Sequence, residues 1–102
     1  MLRISVLNEP GITRLKLEGK LAHEWVNEAR KAWANLMEMN GAEFVVDLLN
    51  VSFVDDAGRK LLAEMRHRNA ELIGAGPLIS ALIEEIEDAE NTMERGGSAG
   101  AQ

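Results

Sequence analysis

The stretch that decides the fold is VSFVDDAGRKLL, residues 51–62. An apolar run ends in it at Val54, two adjacent carboxylates follow at Asp55 and Asp56, and a helical pattern begins directly after them. Acids placed just before a helix can cap its first turn, hold a metal ion together with other oxygens, or take part in acid–base catalysis. The sequence around the pair distinguishes these roles.

The patterns on either side of this stretch differ in period. Residues 44–49 are apolar except for Asp47, which is typical of a central strand buried on both faces. After the acids, Leu61, Leu62 and Met65 follow helical spacing, and the pattern continues to about Asn69. The segment therefore predicts a strand, a loop over residues 50–59 and a helix.

The rest of the chain predicts five further elements. They are a strand over residues 2–7, a strand over 12–17 after the turn NEPG, an amphipathic helix from residue 22 that closes near Gly41, a short strand within AELIGAGP (70–77), and a helix over 79–89. The order ββαβαβα predicts an α/β domain with a four-stranded mixed sheet and three helices. Functional loops then belong at the carboxyl ends of the parallel strands.

Length and composition limit the class of protein. With 102 residues the chain is expected to form one domain, over residues 1–93, and the small and polar residues of 94–102 predict a disordered tail. A formal charge of -6 disfavours nucleic acid and anionic membranes as partners, and the absence of cysteine fits a reducing compartment. No segment has the length and apolar character of a membrane span. We therefore expect a cytoplasmic protein that does not insert into membranes.

The chemistry available to the acid pair is narrow. A magnesium site needs further oxygen ligands, and the only other nearby acid, Asp47, is placed inside a strand. No GxxxxGK loop is present, and His23 and His67 lie in other segments without a zinc-like spacing. Trp25 and Trp33 share one apolar helix stripe, which indicates core residues rather than a stacking platform. We expect no enzyme activity, metal or cofactor; capping is the favoured role of the acids.

The extended segment EFVVDLLNVSFVDDAGRKLL, residues 43–62, resembles the signature of the STAS domain family of sulfate transporters and anti-sigma-factor antagonists. In that family a buried strand enters a loop of the form V-x-F-[hydrophobic]-D-S-[S/T]-G, and a helix follows. LKLEGKL, residues 15–21, resembles the family's second strand, which ends in GEL. The likeness extends over about residues 2–89, and it implies the same fold and a role in binding a protein partner.

The resemblance carries over position by position, with one departure. Asp55 occupies the position of the acid in the family's loop, and Gly58 occupies the position of the glycine at which the helix begins. Asp56 and Ala57 stand at the two hydroxyl residues, one of which a partner kinase phosphorylates in the antagonists. No phosphorylation is therefore expected at these positions. Asp56 either imitates part of the negative charge of a phosphorylated state or replaces a capping serine.

The resemblance implies two functions from different classes. The first is a regulatory module that binds a kinase-like anti-sigma factor, and the alternative is a cytoplasmic subunit of a membrane transporter complex. The residues expected to contact the partner are Ser52, Asp55, Asp56, Ala57, Gly58 and Arg59, although Ser52 is also expected to have a structural role. The sequence leaves homodimerisation and the binding of a small molecule or nucleotide open.

Overall fold

Strands and helices follow one another in the order that the sequence predicts. The computed structural model describes residues 1–38 and 43–100, and the side chains of these residues as far as residue 90. The elements are β1 (Leu2–Glu9), β2 (Ile12–Leu21), α1 (Glu24–Met37), β3 (Glu43–Val54), α2 (Asp56–His67), β4 (Glu71–Gly74) and α3 (Pro77–Gly100). The predicted α/β class, with a four-stranded mixed sheet and the order ββαβαβα, is confirmed.

The sheet has the strand order β1-β2-β3-β4, so each strand lies beside its neighbour in the sequence. β1 and β2 form an antiparallel hairpin around Pro10 and Gly11, and Gly11 takes a positive φ of 76° that glycine adopts without a steric penalty. β2 and β3 are parallel, as are β3 and β4. Parallel neighbours require crossover connections, which α1 and α2 supply.

The core lies between one face of the sheet and the helices. Side chains of β2 alternate along the strand, with Leu15 and Leu17 buried while Lys16 and Glu18 stay accessible. Helix α2 contacts both α1 and α3, so the helices form one continuous layer. The largest fully buried side chains are Leu15, Leu17, Leu21, Val46, Leu48, Leu61, Leu62 and Met65. Burying each such leucine contributes roughly 1.5–3 kcal/mol relative to leaving it exposed.

The tryptophans belong to this helical layer, as predicted. Trp33 is buried in the core with its ring edge-on to Phe44 at a centroid distance of 5.6 Å. Trp25 is half-buried against the same core. Both therefore pack the first helix on the sheet.

Asp47 is a buried charge in the middle of β3. Its Oδ1 accepts a hydrogen bond from the Leu49 amide at 3.0 Å, and its Oδ2 lies 3.5 Å from the Arg14 guanidinium on β2. These partners satisfy a carboxylate that is only 6% exposed. The Asp47 side chain is thus held by partners within the sheet. Residues 45–48 of its strand are all buried, as the apolar run predicts.

Several bounds differ from those the sequence predicts or fall outside the description. The third strand continues to Val54, five residues beyond the strand predicted over residues 44–49, and the third helix continues to Gly100. The predicted end of α1 at Gly41 lies outside the described residues. The disorder expected over residues 94–102 stays a prediction. Of these residues the structure describes only the backbone of 94–100, and residues 101–102 are not described. No helix in the described ranges is long and apolar enough to cross a membrane.

Candidate functional site

The site is a junction of three elements, where β3 ends, α2 begins, and the carboxyl end of β2 lies alongside. Only Asp55 separates Val54, the last residue of β3, from Asp56, the first of α2. The predicted loop over residues 50–59 is therefore wrong. Pairing with β2 continues to the register Leu21 with Val54, and these ladder hydrogen bonds keep the segment extended despite its polar residues.

Asp55 caps helix α2 and also accepts a hydrogen bond from the start of helix α1. Its Oδ1 accepts a hydrogen bond from the Gly58 amide at 2.8 Å, which satisfies one of the unpaired donors in the first turn of α2. Its Oδ2 accepts from the amide of His23, the N-cap residue of α1, at 2.9 Å. The predicted capping role thus belongs to Asp55, while Asp56 is the first helical residue and forms no cap.

The two amides also explain the acidity of this carboxyl group. Hydrogen bonds from the backbone of His23, and then of Gly58, hold the pKa of Asp55 below its usual value of 3.8. Both donors favour the ionised form because a protonated oxygen can no longer accept as well. Asp55 is therefore a fixed anion that joins the starts of α1 and α2.

His23 adopts an unusual backbone conformation at this junction. Its φ of 55° and ψ of -132° lie outside the regions that side-chain-bearing residues favour. Such a conformation costs of the order of 1–3 kcal/mol. The bond from its amide to Asp55 helps to hold it.

Replacing His23 with glycine tests this strain. We expect the free energy of unfolding to rise by about 1 kcal/mol, because relief of the strained backbone exceeds the entropy that glycine adds to the unfolded chain. Urea denaturation of the two proteins would measure the change. A fall in the free energy of unfolding would show that the imidazole contributes more to stability than the relief of backbone strain gains.

Gly58 fits against the end of β2. The residue is buried, and a Cβ atom added to it would lie 2.5 Å from the carbonyl oxygen of Leu21 and 2.9 Å from Cγ1 of Val54. The same Leu21 oxygen accepts a hydrogen bond from the Asp55 amide at 3.2 Å. The glycine therefore lets the first turn of α2 approach β2 closely.

Ser52 lies inside β3 at an irregularity of the pairing. The register passes from Gly19 with Val51 to Lys20 with Phe53, so Ser52 is an extra residue on β3. Its hydroxyl donates to the carbonyl oxygen of Gly19 at 3.3 Å. This hydrogen bond agrees with the structural role expected for Ser52.

The extra residue at 52 turns an aromatic side chain outward. Simple alternation from Val51, which is buried, would place Phe53 in the core, yet Phe53 is 50% exposed. Sequence reasoning missed this residue. The only sequence signal is Ser52 itself, a polar residue between two apolar ones, and it does not identify a bulge.

Of the six residues predicted to contact a partner, four are exposed: Ser52 on β3, and Asp56, Ala57 and Arg59 on α2. Asp56, Ala57 and Arg59 lie on the first turn of α2, and Arg59 Nη1 is 3.9 Å from Glu85 Oε2 on α3. Together with Phe53 they define what we call the α2 start surface. Asp55 and Gly58 lie beneath it and support it.

The acid pair does not converge on a shared point. Both carboxylate oxygens of Asp55 accept hydrogen bonds from backbone amides, whereas Asp56 is exposed at the surface. Within residues 1–38 and 43–90, no cluster of three or more potential ligand side chains is arranged to hold a metal ion.

A second surface feature is an open groove of about 840 Å³ between α1 and α2. Its apolar lining includes Trp33 and Met37, and its rim carries Lys60, His67 and Arg68. Lys60 directly follows Arg59, so the groove starts one residue beyond the α2 start surface.

Comparison with known proteins adds no family assignment. No protein-family model matches the sequence, and no curated protein matches it either. The function is therefore argued from the residues and geometry of this chain.

Proposed function

We propose that the protein is a non-catalytic regulatory module that binds a protein partner through the α2 start surface. The observation that carries this proposal is a half-exposed Phe53 ring at the end of β3, followed within six residues by the exposed charged side chains of Asp56 and Arg59. An exposed large aromatic side chain is a common anchor of protein interfaces because the ring supplies apolar contact area, and exposed charged residues help to select the partner.

The frame beneath this surface is suited to recognition. Asp55 is bonded to two helix starts, and Gly58 packs on the backbone of β2. A rigid frame lowers the conformational entropy lost when the surface binds. The four residues of the α2 start surface are thus presented in one arrangement.

The partner that fits best is a kinase-like anti-sigma factor, as the resemblance to the STAS antagonists implies. In those antagonists a phosphorylated hydroxyl switches binding, whereas this chain has Asp56 and Ala57 in the two hydroxyl positions. The carboxylate of Asp56 is exposed and carries a permanent negative charge of smaller magnitude than a phosphate. Binding at this surface is then independent of phosphorylation, and such a module acts in the cytoplasm.

Affinity capture with matched variants tests the proposal. The tagged protein is incubated with lysate of its source cell, with and without ATP, and retained proteins are identified by mass spectrometry. We expect a kinase-like or sigma-pathway protein to be retained by the wild type. Phe53→Ser is expected to weaken its binding by about 30-fold, because loss of an interface aromatic typically costs about 2 kcal/mol.

Two controls make the result specific. Lys31→Glu changes an exposed residue on α1 outside the α2 start surface and should retain the partner. After incubation with ATP and the partner, peptides covering residues 50–59 should carry no phosphate. Phosphate mapped there, or equal retention by Phe53→Ser, would contradict the proposal. Retention of a transporter component instead would favour the alternative function, a subunit of a transporter complex.

A further inference from the structure

Among the residues that the structure describes, strand β1 has a long and regular edge that pairs with no other strand. It pairs with β2 over all eight residues without a register shift, whereas β4, at the opposite edge, has four residues. Natural edge strands are commonly protected by charged side chains, proline, bulges or short length. The segment LRISVLNE has charged side chains only near its two ends, at Arg3 and Glu9, contains no proline, and pairs with β2 without a bulge. Its outer row of backbone groups is therefore available to another strand.

The hydrogen bonding of the hairpin shows which residues supply that row. The Lys20 amide donates to the Met1 carbonyl at 3.1 Å, so the backbone of residue 1 points toward β2. In an antiparallel ladder this direction alternates, so residues 3, 5, 7 and 9 also point toward β2. The residues whose N–H and C=O groups point outward are Leu2, Ile4, Val6 and Asn8.

We propose that the protein forms a homodimer in which β1 pairs antiparallel with β1 of a second copy, about a two-fold axis at Val6. The two four-stranded sheets then form one continuous sheet. This pairing is symmetric, and it places the outward backbone groups of each copy opposite those of the other. It is independent of the α2 start surface, which lies at the carboxyl ends of β2 and β3.

Charge complementarity selects this register. With the axis at Val6, Arg3 of each copy lies opposite Glu9 of the other, which gives two ion pairs on one face of the sheet. Within the described residues Arg3 forms no ion pair, while the exposed Glu9 lies 3.8 Å from Arg14. The registers one step away place Arg3 opposite Leu7, or Glu9 opposite Ser5, and form no such pairs.

The exposed apolar side chains agree with the same axis. Val6 is 44% exposed although it lies on the same sheet face as the buried Leu2 and the partly buried Ile4. Pairing about Val6 brings the two copies of this side chain together at the axis, which removes both from water.

Sedimentation equilibrium over a range of protein concentrations tests the dimer. We expect a mass that rises from 11.2 kDa toward twice that value as concentration increases. Arg3→Glu and Glu9→Arg each turn two attractions into repulsions and should raise the dissociation constant by about tenfold. The double variant Arg3→Glu/Glu9→Arg restores opposite charges and should return the constant toward that of the wild type.

Two further variants complete the experiment. Lys60→Glu makes the same change in charge as Arg3→Glu, but on α2, and should leave the dissociation constant of the dimer unchanged. Val6→Pro removes an outward N–H and should abolish the dimer, with circular dichroism confirming that the monomer is folded. A monomer at every concentration, single charge variants that behave as the wild type, or a double variant that fails to recover would overturn the proposal.

Discussion

Replacing Gly58 with alanine is expected to lower the free energy of unfolding by about 2 kcal/mol. The new Cβ would lie 2.5 Å from the Leu21 carbonyl oxygen, and this oxygen is already bonded to the Asp55 amide. Relief requires α2 to move away from β2, which breaks that bond. Alanine gains up to about 1 kcal/mol over glycine in a helix, so the steric cost exceeds the gain in helix propensity.

Gly74→Ala is the matched control for this substitution. A Cβ at Gly74 would meet methyl groups of the Ile79 and Ile83 side chains, whereas a Cβ at Gly58 would meet a backbone carbonyl oxygen, which can move only if the strand moves. Thermal unfolding of the two variants should therefore give the larger decrease for Gly58→Ala. Equal decreases would show that the contact with the Leu21 backbone costs no more than a contact with side chains, which would contradict this prediction.

Removing the Asp55 carboxylate should produce the other large loss of stability. Asp55→Ala leaves the amides of His23 and Gly58 without their acceptor, so two helix starts lose a partner at once. We expect the melting temperature to fall by at least about 5 °C, since the loss of one cap alone typically has an effect of this size. Asp55→Asn keeps one acceptor oxygen and should give an intermediate melting temperature.

The effect of Asp55 depends on pH in a defined direction. Its folded-state pKa lies below the value of 3.8, so the ionised form is favoured by folding and its contribution is complete above that value. As pH falls through the lowered folded-state pKa, this contribution is lost. The difference in stability between wild type and Asp55→Ala should therefore be constant near neutrality and shrink on acidification below about pH 4.

Urea denaturation at a series of pH values measures this difference. The subtraction of the Asp55→Ala curve removes the contribution of the other carboxyl groups. A difference that stays constant to the lowest pH at which the wild type folds would contradict the role of the ionised carboxylate. A difference that grows on acidification would mean that the folded-state pKa is raised.

Part of the candidate site followed from the sequence and part did not. An acid directly before a helical pattern predicted a cap, and Asp55 is one. That the same carboxylate also binds the His23 amide was not predictable, because the two residues are 32 positions apart and meet only through the pairing of β2 with β3. Phe53 was missed for a similar reason. Its outward direction depends on a shift in register between two strands.

The class of fold and the order of its elements can be predicted from the sequence alone. Alternating periods of two and of 3.6 residues are local properties, and each strand and helix here carries its own apolar pattern. The tertiary structure alone decided where β3 ends, which side chain caps which helix, and which face Phe53 occupies. These features depend on hydrogen bonds and close contacts between segments distant in the chain, such as that of Gly58 with Leu21, and no local pattern encodes them.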